Sequence, residues 1–128
     1  MAPALLDCGV LDAERIGVNL RDLVARTRAG RLRAPELSDA TITISNLGMF
    51  GVTQFTAIIT PPQVAILATG RTEPRAVVEN GAVVVRQRMT ATVSADHRAL
   101  DGAAVARFLE TLAATLAAPE MLDVAGRA

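Results

Sequence analysis

The sequence predicts a mixed α+β or α/β sandwich, a mixed sheet with helices on one side. Amphipathic helical stretches stand near both ends of the chain, β-branched or alternating runs lie between them, and an Asn-Gly pair joins two of those runs. At 128 residues the chain fits one domain comfortably and two poorly.

Taken in order, residues Asp12 to Ala29 read as a helix. Ile16, Leu20, Leu23 and Val24 recur at helical spacing, and Gly30 is placed to terminate it. Arg31 to Asp39 reads as a connector containing Pro35, and Thr41 to Ser45 as a β-branched, alternating strand. Asn46 to Gly51 breaks regular structure with two glycines, and Pro61-Pro62 separates the next apolar runs. Gln63 to Thr69 is continuously apolar past its first residue, which predicts a strand buried on both faces. Ala76–Val78 and Ala82–Arg86 flank Glu79-Asn80-Gly81, a hairpin signal, because Asn and Gly tolerate positive φ. Gln87 to Ala95 alternates and reads as one long strand running into Asp96-His97. Asp101 or Gly102 opens the last helix, with Asp101 suited to cap it. Val105, Phe108, Leu109, Leu112 and Leu116 form its apolar face before Pro119 ends it.

Composition narrows the function. Hydrophobic residues make up 51% of the chain, supplied by alanine, valine and leucine rather than aromatics, so some apolar surface is expected to be buried against other subunits. The formal net charge is zero and every basic residue is an arginine, which excludes lysine Schiff-base chemistry. The cluster Arg26, Arg28, Arg31 and Arg33 reads as the solvated end of a helix, where cations complement the dipole. Without a basic surplus or interleaved aromatics, nucleic-acid binding gains no support. No stretch reaches the roughly 20 apolar residues of a membrane span, and the opening residues lack the pattern of a signal peptide, so a cytoplasmic location is expected. Cys8 is the single cysteine, expected as a buried thiol; it permits no intrachain disulfide or cysteine-based zinc site.

His97 is the only histidine, and it follows an apolar run with Asp96, Arg98 and Asp101 within four residues. Imidazole exchanges protons near neutral pH, its unperturbed pKa being about 6.5. One histidine makes a metal site improbable, and no Gly-x-Ser-x-Gly elbow supplies a nucleophile. A lone base with no protein nucleophile suits chemistry in which the substrate brings its own, and a thiol of pKa about 8.5 fits. Attack on a thioester generates an oxyanion, for which Ser45 and Asn46, at another strand end, are the available donors. Asp101 has two compatible roles, supporting the imidazole or capping the helix and pairing with Arg98.

Three blocks carry a family resemblance: Thr43–Val52, Phe55–Leu67 and Asp96–Ala103. In that order, over about Pro3 to Leu122, the chain resembles the dihydrolipoamide acyltransferases of 2-oxo acid dehydrogenase complexes, which share the chloramphenicol acetyltransferase fold. The resemblance implies an enzyme moving an acyl group between dihydrolipoamide and coenzyme A. His97 would be the general base, Ser45 the oxyanion donor and Asp101 the residue holding local geometry, with Asn46 a candidate substrate contact. It implies coenzyme A as substrate, a lipoyl group on another domain or chain, and no metal. It also implies a homotrimer or larger cage in which His97 of one subunit meets Ser45 of its neighbour. Residues 1–128 correspond to the C-terminal half of the family's catalytic domain, without a lipoyl or peripheral subunit-binding domain. A separate chain supplying the N-terminal half is one expectation. A catalytically impaired scaffold module and a small-molecule acetyltransferase of the same fold are the competing ones.

Overall fold

The structure, a computed structural model, describes residues 3–121. Met1 and Ala2 of the opening segment, and Leu122 where the resemblance ends, lie outside the described residues. The chain divides into two compact units, residues 1–41 with 102–128 and residues 42–101.

The first unit is helical. Helix α1 spans Ala13–Arg28 and begins where Asp12, in extended conformation, accepts the Arg15 backbone N–H at 2.7 Å. Leu23 is its one buried side chain. Gly30 follows the helix with φ 67° and stops it as expected. The connector expected over Arg31–Asp39 instead contains a short helix, α2, Ala34–Ser38. Pro35 stands in its first turn, where a missing N–H costs nothing, so a proline that reads as a breaker serves as a start.

Glu36 organises this corner. Its carboxylate, 6% exposed as a residue, accepts from the Arg33 N–H at 2.7 Å and from the Arg26 guanidinium at 2.6 Å. Its carbonyl accepts from the Ala4 N–H at 2.7 Å. Arg26 also binds Asp22 at 2.7 Å, so it is a partly buried tie between α1 and α2 rather than part of a solvated helix end. Helix α3, Gly102–Ala117, completes the unit. Cys8 is exposed, not buried: it sits in a 3₁₀ turn, Cys8–Val10, with no buried residue, and its Sγ donates to the Leu5 carbonyl at 3.3 Å.

The second unit is built on strands. A three-stranded sheet runs β1 (Ile42–Asn46), β2 (Ala65–Thr69), β5 (Ala91–Ala95) in spatial order, with β1 parallel and β5 antiparallel to β2. Every residue of β2 is buried, as its unbroken apolar run predicts. Strands β3 (Glu73–Glu79) and β4 (Ala82–Arg88) form a separate hairpin turned by Asn80 and Gly81, at φ 52° and 80°. One face of this hairpin is apolar and open, with Val78, Val83 and Val85 each about 70% exposed.

The alternating run Gln87–Ala95 is not one strand. The ladder of β4 ends at Arg88, Met89 and Thr90 carry the chain to the other sheet, and β5 starts at Ala91. Thr90 anchors the switch through its carbonyl, which accepts the Gly70 N–H at 3.0 Å. Alternation stays in phase across the switch, so periodicity alone does not mark it.

An extended segment, residues 52–60, covers part of the main sheet. The Arg71 N–H donates to the Val52 carbonyl at 2.8 Å, and Ser94 Oγ donates to the Ala57 carbonyl at 2.7 Å. Gly70 permits this approach: a Cβ there would lie 1.9 Å from the Thr53 carbonyl oxygen. Among the described residues, no helix is long and apolar enough to cross a membrane.

Two outcomes follow from this packing. Gly70→Ala is expected to lower unfolding free energy by about 1–3 kcal/mol through overpacking, measured by urea denaturation. Arg26 above all, with the Arg33 N–H, holds the Glu36 carboxyl at about 2 against an ordinary 4.5. Its contribution to stability is therefore full above the ordinary value and lost as pH falls from about 4.5 toward 2. Glu36→Gln should be less stable at neutral pH and show a flatter decline across that window, measured by denaturation midpoints against pH.

Candidate active site

The two ends of the main sheet each carry one expected group. Ser45 is the penultimate residue of β1, half-buried, paired with Ala68 of β2 and through it with Thr92 of β5. Paired residues share a face, so Thr43, Ser45, Thr92 and Ser94 place four hydroxyls on one side of the sheet. Thr43 Oγ1 bonds Gln63 Oε1 and Ser94 bonds Ala57, while the Ser45 hydroxyl makes no hydrogen bond among the described residues.

The backbone around Ser45 is fixed from β2. Thr69 Oγ1 approaches the Ser45 carbonyl at 3.4 Å, and the Thr69 carbonyl accepts the Leu47 N–H at 3.2 Å. Asn46 Oδ1 accepts the Gly48 N–H at 2.8 Å, so the side chain considered for substrate contact also closes an Asx turn. Gly48 in turn lies against Gly70 and Arg71, whose backbone leaves no room for a Cβ.

At the opposite end, β5 runs out into the turn 97–99, with His97 exposed. Asp96 controls this exit. Its N–H donates to the Val64 carbonyl at 2.8 Å, and its carbonyl accepts from Ala99 and Leu100, both at 2.9 Å. Its carboxylate accepts the Arg98 N–H at 3.0 Å and is forked by the Arg98 guanidinium at 2.6–3.1 Å. The guanidinium first, and the Arg98 N–H next, hold the Asp96 carboxyl down to about 2. Arg98 thus pairs with Asp96, whose two carboxylate oxygens both reach its guanidinium. Asp101 is exposed and stands immediately before the first residue of α3, the capping position expected for it.

Asp96, Thr69, Gln63 and Ser94 are the positions that sequence reasoning passed over as site supports. Only Asp96 had a signal, the Asx-turn habit of an aspartate two residues before the N–H it captures. The others depend on cross-strand register. No group of three or more His, Cys, Asp or Glu side chains that could hold a metal occurs among the described residues.

Register also sets the separation of the two groups. Asp96 lies four residues beyond the row of Ser45 and two strands across, which puts their Cα atoms about 16 Å apart at roughly 3.3 Å per residue and 4.8 Å per strand. Within one chain, then, Ser45 and His97 do not face a common reacting atom.

The fold is thus a mixed sheet with a histidine just beyond one strand and a serine near the end of another, as the resemblance implies. Residues 1–124 match the family of 2-oxoacid dehydrogenases acyltransferase (catalytic domain), and the chain belongs to that family. It is 41% identical over 109 residues to the dihydrolipoyllysine-residue acetyltransferase component of the pyruvate dehydrogenase complex of Zymomonas mobilis, covering 85% of this chain and 25% of that protein. It is 39% identical to a chloroplastic component of the same name from Arabidopsis thaliana, covering 97% of this chain and 26% of that one. Among solved structures, a probable dihydrolipoamide acetyltransferase of Listeria monocytogenes superposes with a TM-score of 0.79 at 30% identity, over 84% of this chain and 46% of that one. The Azotobacter vinelandii dihydrolipoamide acetyltransferase, studied for a serine, a histidine and an asparagine in its catalytic mechanism, gives 0.77 at 34%, over 84% and 44%. The chain thus spans about a quarter of those curated relatives and just under half of those solved chains.

Because Asn46 serves the turn, Asn46→Ala is expected to cost about 1 kcal/mol of stability, as one lost hydrogen bond. Asn46→Asp, which keeps the acceptor, should retain most of it. Chemical denaturation, with amide exchange at Gly48, checks both.

Proposed function

We propose that this chain supplies the histidine and serine of an acyltransferase site that moves an acyl group between dihydrolipoamide and coenzyme A. The observation that carries the reading is the register of the main sheet. It leaves an exposed imidazole at one end and a free serine hydroxyl at the other, a pair that becomes a site only across a subunit boundary. Spacing supports the roles. In the Azotobacter enzyme the histidine follows the serine by 52 positions and the asparagine follows the histidine by four. His97 follows Ser45, and Asp101 follows His97, at the same intervals.

In this mechanism His97 of one subunit takes the proton from the thiol of coenzyme A. The resulting thiolate attacks the thioester carbon of the acylated dihydrolipoyl group. The carbonyl electron pair moves onto oxygen, where the Ser45 hydroxyl of the neighbour donates a hydrogen bond. Collapse of the tetrahedral species reforms the carbonyl and expels the dihydrolipoyl sulfur, which recovers the proton from His97. Asp101 supports the site by holding the junction into α3, and Asn46 shapes the loop behind Ser45. Coenzyme A enters as substrate, and the lipoyl group arrives on another domain or chain. A trimer or larger cage supplies the shared boundary; one related structure is the cubic core of a pyruvate dehydrogenase complex. The remaining half of the catalytic domain comes from outside these residues, whether in the same polypeptide or a separate one, and on this reading the reaction runs in the cytoplasm.

A second reading, an assembly module without catalysis, draws on the open valine face of the β3–β4 hairpin. The two readings separate in one assay. His97→Ala should lower kcat by about 10²–10⁴-fold, and Ser45→Ala by about 10²–10³-fold, in coenzyme A-dependent acyl transfer. Mixing the two inactive variants before assembly should restore about a quarter of the wild-type sites, since a quarter of random boundaries join two intact residues. Transfer that survives His97→Ala defeats the mechanism, and a discrete trimer without transfer in the wild type favours the assembly module.

A further inference from the structure

The turn that presents His97 is closed by its neighbours on either side. Asp96 and Arg98 flank the histidine in sequence and are joined to each other by four hydrogen bonds, one from the Arg98 backbone and three from its guanidinium. The Asp96 carbonyl also takes the N–H groups of Ala99 and Leu100, and its own N–H is held by Val64 at the mouth of β2. His97 itself makes no hydrogen bond among the described residues. Whatever order its imidazole has is therefore borrowed from the frame around it.

The Asp96–Arg98 pair is too exposed to matter much for global stability: the arginine side chain is 88% accessible, and exposed ion pairs contribute little. Its geometry is nevertheless specific, since a bidentate fork two residues long fixes the direction in which the residue between them leaves the backbone. Resting on the reading of His97 as the base, we propose that Asp96 is a positioning residue, its carboxylate clamping the Arg98 backbone and guanidinium across His97 so that the imidazole leaves the sheet from a closed turn. The clamp acts on where the base stands, not on binding of coenzyme A.

The full chain tests this directly, because it holds one histidine and its signals are unambiguous. Asp96→Ala should drop the ¹⁵N order parameter at His97 from about 0.85 to below about 0.6, while amides of β2 and β5 keep their exchange protection. In the acyl-transfer assay of the assembled enzyme, Asp96→Ala should lower kcat at least about tenfold and leave KM for coenzyme A within about twofold. Asp96→Asn keeps an oxygen for the Arg98 N–H and should recover much of both losses. Unchanged order at His97, order lost with kcat intact, or loss of protection spreading through β2 and β5 would each overturn the proposal. If the wild type shows no transfer, the order parameters alone decide the clamp, and the failure falls on the proposed function.

Discussion

The register of three short strands governs the rest of this molecule. Because β1 runs parallel to β2 while β5 runs antiparallel, the chain leaves the sheet at one end after Asn46 and at the other after Ala95. No rotamer change bridges that gap, since backbone hydrogen bonds hold both strands to a fully buried β2. The sheet therefore acts as a rigid spacer, keeping His97 and Ser45 apart within a chain and presenting each at a margin. The supports at the two ends differ in kind. Ser45 is held by contacts of backbone with backbone and with Thr69, whereas His97 is held by a side-chain fork in the adjoining turn.

Apolar surface follows the same logic. The hairpin β3–β4 presents a row of valines without cover, and Ile44 of β1 is 71% exposed on the side of the sheet away from Ser45. Single exposed aliphatics are ordinary, but a contiguous row on a regular sheet face marks a surface made to be covered. Such surface agrees with the share of the related solved chains that this chain spans, just under half.

Much of this architecture was legible in the residues. Asp12 and Gly30 marked α1, the apolar run marked β2 as central, and Asn80-Gly81 marked the hairpin, because each signal is local and sterically strict. The features that escaped are those set by tertiary partners. Met89–Thr90 transfers the chain between sheets with no change of period, Pro35 opens a helix where it reads as a break, and Cys8 lies on an open turn despite its apolar habit. At the site, the strand exits of Ser45 and His97 and the capping position of Asp101 were readable from pattern. The clamp of Arg98 by Asp96 was not, since it depends on the closed turn that brings the Arg98 N–H and guanidinium onto one carboxylate.

Thr53, Gly70 and Gly48 meet through main-chain atoms alone, with the Thr53 carbonyl in the space a side chain at 70 would take. Contacts of this kind are insensitive to what the neighbouring residues happen to be. Exposed positions of the covering strip, such as Thr56 and Ile58, can therefore vary without disturbing how Ser45 is held. Positions 48 and 70, by contrast, allow almost no latitude, since any side chain there must displace main-chain atoms.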